Sequence, residues 1–531
     1  MSQPQRIEQI EAPPPPKRDQ AIAATIRVLD LVFGPPYERT YDIRLWDGTF
    51  QRGGADPRAD FSLYIRRRGA LRRMLLPPSE LSMVEAFIAN DIDIEGNVES
   101  AMGLGDAIGK RIQSIRAIAG LMPKVLALPT DDDSPAVEKS RYARSLRLLT
   151  PRARKGTESE IRFHYDLGND FYALWLDPSM SYTCAYYRKE SDDLATAQRN
   201  KLNHICRKLR LQPGDRLLDI GCGWGGLVMH AAQNYGVQAT GITLSAAQAI
   251  FAQETIAGQG LSDSCRVRMM DFRDLPVKAR FDKISSVGVT EHVAEDQQSG
   301  YFARVFRALE PSGLFLNHCE VSIRAARRTN SVLERIGRWL WKRDQFIDKY
   351  VFPDARLVSL GSIIRSAESV GFEVRDVESL REHYILTLRA WLRGLERRRA
   401  DAIKLVGERA YRVWKLYMSA GAYGFRTGEI NIVQTLLSKP APEGKAGVPL
   451  TREDLYRTDN RRQEELGGRS NGSPRHRRRE GRQMESVGSS AVVDSSEDGG
   501  RGFPRRLRRR LALLRVGEPA AAPRALPAGL G

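Results

Sequence analysis

The sequence predicts an α/β fold with a second, smaller α+β region ahead of it, and three observations lead there. Between Ile161 and about Lys439, β-type apolar runs alternate with helical patterns, the arrangement that builds a sheet flanked by helices. One run, in LLDIGCGWGG at Leu217–Gly226, passes straight into glycines and then into the helical LVMHAAQNYG. Residues 25–130 instead mix strand-like and helical segments without regular alternation.

In chain order, residues 1–24 read as a disordered leader containing the polyproline run Pro13–Pro16. In the region 25–130, Tyr41–Trp46 and Phe61–Ile65 are β-branched and aromatic enough for strands. Ser79–Asn90 reads as a helix, with a Ser cap before an apolar-periodic run. Residues 131–160 form a polar linker, and 161–440 form the α/β domain. Residues 441–531 read as an extension that is mostly disordered. Beyond Arg457, Ser, Gly, Arg and Pro dominate and periodicity disappears.

Bulk properties narrow the function classes. The net charge of +18 calls for an anionic partner, and 16 Arg, no Lys and 9 acidic residues fall between Asp459 and Gly531. The basic segments contain no recognisable nucleic-acid module, so a membrane face is the preferred partner over nucleic acid. Apolar stretches fall short of a bilayer span, and the start lacks a secretory core. Five cysteines form no CxxC pair and no zinc spacing, so no metal site is expected and a reduced, cytoplasmic setting fits.

The glycine run decides the cofactor. Glycines are required where backbone turns tightly after a strand and a ligand must approach without a Cβ between. Gly221, Gly223 and Gly226 satisfy GxGxxG, but a dinucleotide site expects an acid about 20 residues on. Here the next β-type run, Gln238–Thr243, leads into Leu244 and Ser245 without a carboxylate. The acid precedes the glycines instead, as Asp219. DxGxGxG resembles the pattern of the class I methyltransferases, which bind S-adenosylmethionine on a Rossmann-like, mostly parallel seven-stranded sheet.

Further blocks resemble the cyclopropane-fatty-acyl-phospholipid synthase family and its mycolic-acid-modifying relatives. They are HYDLGNDFYALWLDPSMSYTCAYY from His164, TGITLSAAQ from Thr240, VGVTEHV from Val287, FLNHCE from Phe315, FIDKYVFP from Phe346, HYILTLRAW from His383 and YGFRTGEINIVQ from Tyr423. IANDIDIEGNVESA from Ile88 resembles the amino-terminal domain of the longer bacterial synthases. The resemblance implies methylene transfer to a cis double bond of a phospholipid acyl chain, giving a cyclopropane. A carbocation forms and a base must remove a proton from the added carbon in a water-excluding site. The family's base is bicarbonate, and the residues matching its holders are Cys184, Glu291, His318 and Tyr384. Cys, His and Tyr can donate to an anion, Glu can accept from its hydroxyl, and the Tyr384 ring can face the cation. The matching cofactor contacts are Tyr182, Thr183, Gly221, Gly223, Thr243, Leu244, Ser245 and Gln248, with Asp271 and Phe272 flanking the adenine.

Three positions depart from the family pattern: Glu320 where Ile is usual, Thr290 in place of an aromatic, and Ala294 in place of glycine. An inward Glu320 carboxylate would repel bicarbonate. The outcome therefore stays open between cyclopropanation, methyl branching and methyl transfer to an amine, with an inactive lipid-binding protein as the non-enzymatic alternative. Two basic segments are candidates for peripheral docking on the inner membrane face: Ile323–Arg343, amphipathic if helical, and Arg66–Arg68 with Arg72 and Arg73. The competing reading is an ordinary packed helix with a solvated basic face for the first and a plain solvent face for the second. The amino-terminal domain is expected to engage lipid or form a homodimer.

Overall fold

The computed structural model describes residues 17–54, 59–76, 79–111, 115–130, 167–323, 345–351 and 357–456. The linker 131–160, the docking candidate from Arg324 to Arg343 and the extension from Arg457 onward lie outside them. No helix among the described residues is long and apolar enough to cross a membrane.

The amino-terminal region is α+β. Helix α1 (Lys17–Phe33) leads into β1 (Asp42–Arg44), β2 (Phe50–Gln51) and β3 (Phe61–Ile65), followed by α2 (Ala70–Leu75), α3 (Glu80–Ile88), β4 (Ile92–Gly96), α4 (Val98–Ala101), α5 (Gly103–Arg111) and α6 (Ile115–Leu126). The four strands pair in the order β2-β1-β3-β4. Strand β3 has the expected bounds, with Phe61, Leu63 and Ile65 buried in alternation. Helix α3 starts as expected: the Ser79 hydroxyl accepts from Ser82 N–H at 3.1 Å, and the Ser82 hydroxyl accepts from Ser79 N–H at 3.1 Å.

Two boundaries differ from the sequence reading. Helix α1 begins at Lys17, inside the segment assigned to the leader. The Tyr41–Trp46 strand shortens to Asp42–Arg44 because Asp47-Gly48 makes a turn. Gly48 takes φ +91, Asp47 accepts from Thr49 N–H at 3.1 Å, and Leu45 N–H donates to Thr49 O at 2.8 Å.

The second region begins with α7 (Asn169–Ala173) and α8 (Leu194–Lys208). Then β5 (Arg216–Ile220), α9 (Gly226–Tyr235), β6 (Gln238–Thr243), α10 (Ala246–Gly258), β7 (Cys265–Met269) and β8 (Phe281–Val287) alternate as predicted. Helix α11 (Gln298–Ala308), β9 (Leu309–Ser322), α12 (Gln345–Tyr350), α13 (Leu360–Glu368), β10 (Glu373–Ser379), α14 (Arg381–Arg397), α15 (Arg399–Thr427) and β11 (Ile430–Ser438) complete it. The sheet runs β10-β11-β9-β8-β5-β6-β7. Strands β5 to β9 are mutually parallel, whereas β11 lies antiparallel to both β9 and β10. The sheet reverses its order beside β5, and clefts outside the carboxyl ends of the strands at such a point are where ligands bind.

Ordered chain continues past Pro440, the expected domain end. Ser438 donates to Ala446 O at 2.5 Å, and Arg210 pairs with Asp454 at 2.9 Å. The two regions also share a core: Val413 and Leu416 of α15 are buried among Leu63, Phe87 and Ile94. Buried Arg412 fastens them together, donating to Phe87 O at 2.6 Å, to Ile92 O at 2.9 Å and to Asp93 at 3.0 Å. Glu99 adds a second fastening, accepting from Arg389 at 2.7 Å and Arg426 at 2.8 Å.

Candidate active site

The expected cofactor residues gather at the carboxyl ends of β5 and β6. Past Asp219 the chain turns with Gly221, Gly223 and Gly225 all at positive φ, and Gly221 and Cys222 N–H groups donate to Ile242 O of the neighbouring strand. A Cβ on Gly221 would stand 2.3 Å from Val289 Cγ2, whereas one on Gly223 would meet nothing within 4 Å. The first glycine is required for packing; the second leaves bare backbone toward open space.

That space belongs to a cavity of about 850 Å³. Tyr182, Thr183, Asp219, Gly221, Gly223, Thr243, Leu244, Gln248, Asp271 and Phe272 all line it. Ser245 does not. It is buried, and its hydroxyl caps α10 by accepting from Gln248 N–H at 3.3 Å. Its role is to hold the turn that presents Leu244 and Gln248. Ser285 donates to Asp219 at 2.7 Å, and Thr243 donates to Gln248 Oε1 at 2.7 Å. Burial raises the Asp219 carboxyl to about 7 even though Ser285 and the charge of Lys201 pull it down.

Bare backbone at Gly221–Gly223, hydroxyl and amide groups after β6, and a carboxylate beside an aromatic after β7 fit the amino-acid end, ribose and adenine of S-adenosylmethionine. Lys201 was not foreseen. It lines the cavity, donates to Thr183 Oγ1 at 3.1 Å, and is lowered to about 8 by burial. The signal was its place on the stripe Ala197, Lys201, Ile205 that α8 buries.

At the acceptor pole, Cys184, Glu291, His318 and Tyr384 come together from the segment after α7, a short 3₁₀ turn after β8, the middle of β9 and the first turns of α14. Gln434 on β11 faces His318 Nδ1 at 3.1 Å. With the Gln434 amide nitrogen as donor, the ring proton sits on Nε2, which has no partner. Burial, then the charges of Lys201 and Lys208, lower His318 to about 3, so the ring is neutral. Glu291 Oε1 accepts the Glu320 N–H at 2.7 Å, while its Oε2 is unpartnered. Burial and the neighbouring Glu320 raise Glu291 to about 8.

Glu320 points inward. It shares the inner face of β9 with His318, lines the cavity, and is hydrogen-bonded by the Tyr384 hydroxyl. Burial raises it to about 7, with Tyr384 opposing the rise. Thr290 and Ala294, the other departures, stay off the cavity; Thr290 donates to Asn317 at 2.6 Å inside the protein.

These four residues assemble, but they do not fit the bicarbonate expected of them. The Cys184 thiol lies against the carbonyls of Ala185 and Leu380, at 3.3 and 3.8 Å, and the Tyr384 hydroxyl faces the Glu320 carboxylate. One unpartnered donor of the set, His318 Nε2, is left for an anion, against two carboxyl groups.

The sheet order with its antiparallel β11, the turn after β5 and the cavity beyond it define a class I S-adenosylmethionine-dependent methyltransferase. Residues 152–435 match the family described as mycolic acid cyclopropane synthetase. The chain belongs to that family. It is 37% identical over 416 residues to a probable fatty acid methyltransferase of Pseudomonas putida, covering 78% of this chain and 96% of the relative. It is 35% identical over 348 residues to the cyclopropane-fatty-acyl-phospholipid synthase of Escherichia coli K12, covering 65% and 85%. The crystal structure of mycolic acid cyclopropane synthase CmaA1 with SAH and CTAB aligns at 33% identity and a TM-score of 0.49, covering 54% of this chain and 99% of that one.

The two docking candidates fare differently. The first lies outside the described residues beyond Ile323. The second is largely committed within the protein: Arg66 pairs with Asp93, Arg67 and Arg73 with Asp91, and Arg72 donates to Leu126 O and Leu128 O.

Proposed function

We propose that the protein transfers a methylene group to the cis double bond of unsaturated phospholipid acyl chains, forming cyclopropane fatty acids. One observation carries the reading. The cavity at the glycine turn continues past Glu291, His318 and Tyr384 into the apolar core of the amino-terminal region, where Phe33, Leu63, Phe87 and Ile94 line it. A volume of this size suits a ligand much larger than a free amine, and its apolar end suits an acyl tail.

S-adenosylmethionine, held by Gly221, Gly223, Gln248, Asp271 and their neighbours, supplies a methyl activated on sulfonium. The rest falls to side chains of this chain. Leu388, Phe425 and Ile432 line the acceptor pole and keep water out. The Tyr384 ring, packed against Trp391 and Phe425, offers a π face to a developing cation. The net charge of +18 suits an enzyme that draws its substrate from the anionic inner face of a membrane. Methyl branching without ring closure is the second reading. The name of the Pseudomonas relative favours it.

The test is mass spectrometry of total fatty acids from cells expressing the full chain, against a Cys184→Ala, Glu291→Gln double variant. A wild-type-specific gain of one CH2 with loss of the double bond is expected. The same gain with an alkene retained selects branching. Unchanged lipids from a protein that binds S-adenosylmethionine would sink both readings.

A further inference from the structure

Resting on the methylene-transfer reading, we propose that the Glu320 carboxylate, and not a bound anion, is the base that removes the proton from the newly added carbon.

The placement of Glu320 is that of a working group. Among the described residues no cationic side chain forms an ion pair with it, although its carboxylate faces a cavity lined by Leu388, Phe425 and Ile432. A half-buried carboxylate set against an apolar cavity without a paired cation is costly, and such groups cluster where chemistry needs them. Its surroundings fix its orientation. Its own N–H anchors Glu291 from behind at 2.7 Å, and the Tyr384 hydroxyl holds the carboxylate from α14. The other titratable groups lining the cavity at or beside this pole are Cys184, Glu291, His318, Tyr384, Tyr417 and Lys201, whose charge acts on Cys184 and His318. Cys184 is pushed well up and His318 down by burial, leaving both neutral. Burial raises both Glu291 and Glu320, and two neighbouring carboxylates do not both ionise, so the pair shares one proton and one negative charge. The pair therefore presents one basic carboxylate near neutral pH, where a general base is most effective. A second anion in the same space would face that charge with one free donor.

The step balances. The alkene π pair bonds to the activated methyl carbon, and the C–S pair leaves with sulfur as a neutral thioether. The adjacent acyl carbon becomes cationic. Glu320 takes H⁺ from the added carbon, and the released C–H pair closes the third C–C bond of the ring. Protonated Glu320 then returns its proton to water when product leaves.

The experiment uses the purified full chain, S-adenosylmethionine and vesicles of dioleoyl phosphatidylglycerol, in buffer purged of carbon dioxide or supplemented with bicarbonate. Product is read by mass spectrometry, and cofactor affinity by calorimetry. The wild type should change less than about twofold between buffers, and its kcat/KM should rise with pH through one ionisation near neutrality. Glu320→Gln and Glu320→Ile should lose about 10²–10⁴-fold in rate while binding S-adenosylmethionine as the wild type does. Added bicarbonate should partly restore Glu320→Ile, whose apolar side chain removes the competing carboxylate and releases the Tyr384 hydroxyl to join His318 Nε2 in holding the anion. A wild type that stops when bicarbonate is removed overturns the proposal, and so does Glu320→Gln working at the wild-type rate. If the variants fail to bind cofactor, the wild-type response to bicarbonate decides alone. Absence of product from the wild type in both buffers fails the methylene-transfer reading itself, and the proposal with it.

Discussion

Replacing Gly221 with alanine tests the cofactor turn through two separable penalties. The first is conformational: at φ +73 an L side chain costs about 1–2 kcal/mol. The second is steric. The new Cβ would lie 2.3 Å from Val289 Cγ2, and overpacking of this kind costs about 1–3 kcal/mol. Together they predict a penalty of about 2–5 kcal/mol on the native turn. A free turn relaxes part of this strain and cofactor binding restores it, so affinity should fall about 10- to 1,000-fold. The steric part alone is removed by Val289→Ala. Calorimetric titration of the full chain with S-adenosylhomocysteine on wild type, both single variants and the double variant closes the cycle. The double variant should bind tighter than Gly221→Ala, with a coupling of about 1–3 kcal/mol, and still weaker than Val289→Ala by about 5- to 30-fold. A double variant no better than Gly221→Ala would refute the steric argument. A Gly221→Ala protein that binds like wild type would refute both.

Two further perturbations probe what holds the site together. Arg412→Ala removes the side-chain donor from the carbonyls of Phe87 and Ile92 and leaves Asp93 with Arg66 as its remaining cation. It should destabilise the protein by about 3–5 kcal/mol in thermal unfolding and expose the amino-terminal region to limited proteolysis. Burial raises the Glu378 carboxyl, but the His204 hydrogen bond and the charge of Lys208 outweigh it and bring it to about 2, below the usual 4.5. A depressed carboxyl stabilises the fold above its unfolded value, and that contribution fades as pH falls from about 4.5 toward about 2. Glu378→Gln should therefore flatten acid unfolding within that window, read by circular dichroism, and a variant with the wild-type acid slope would disprove the linkage.

Local signals were legible in the sequence because their physics is local. Ser79 capping α3, the alternation in Phe61–Ile65 and the glycines after Asp219 each depend on residues a few positions apart. The four acceptor-pole residues were legible through family blocks, since nothing local marks His318 or Tyr384 as sharing a cavity. What escaped depends on long-range contact. Arg412 reaches Phe87 and Ile92 across more than 300 positions, and no pattern around Arg412 announces it. Whether Glu320 faces inward turns on the register of β9 against β11, where Glu320 pairs with Ile432. Even the anion expected at this pole turns on which donors are already engaged, and the contacts of Cys184 with Leu380 and of Tyr384 with Glu320 are long-range ones too.

The residues that line the apolar end of the cavity are also the core of the amino-terminal fold: Leu63, Phe87, Ile94 and Ala101 do both. Most proteins can gain stability by enlarging a side chain beside a void. Here the same change, Ala101→Leu for instance, would fill the space proposed for substrate. Robustness and capacity draw on one set of atoms, so this half of the molecule cannot be hardened without being emptied of its guest. A lipid bound there would act as the missing part of the core and lend the fold the stability its own side chains leave unclaimed.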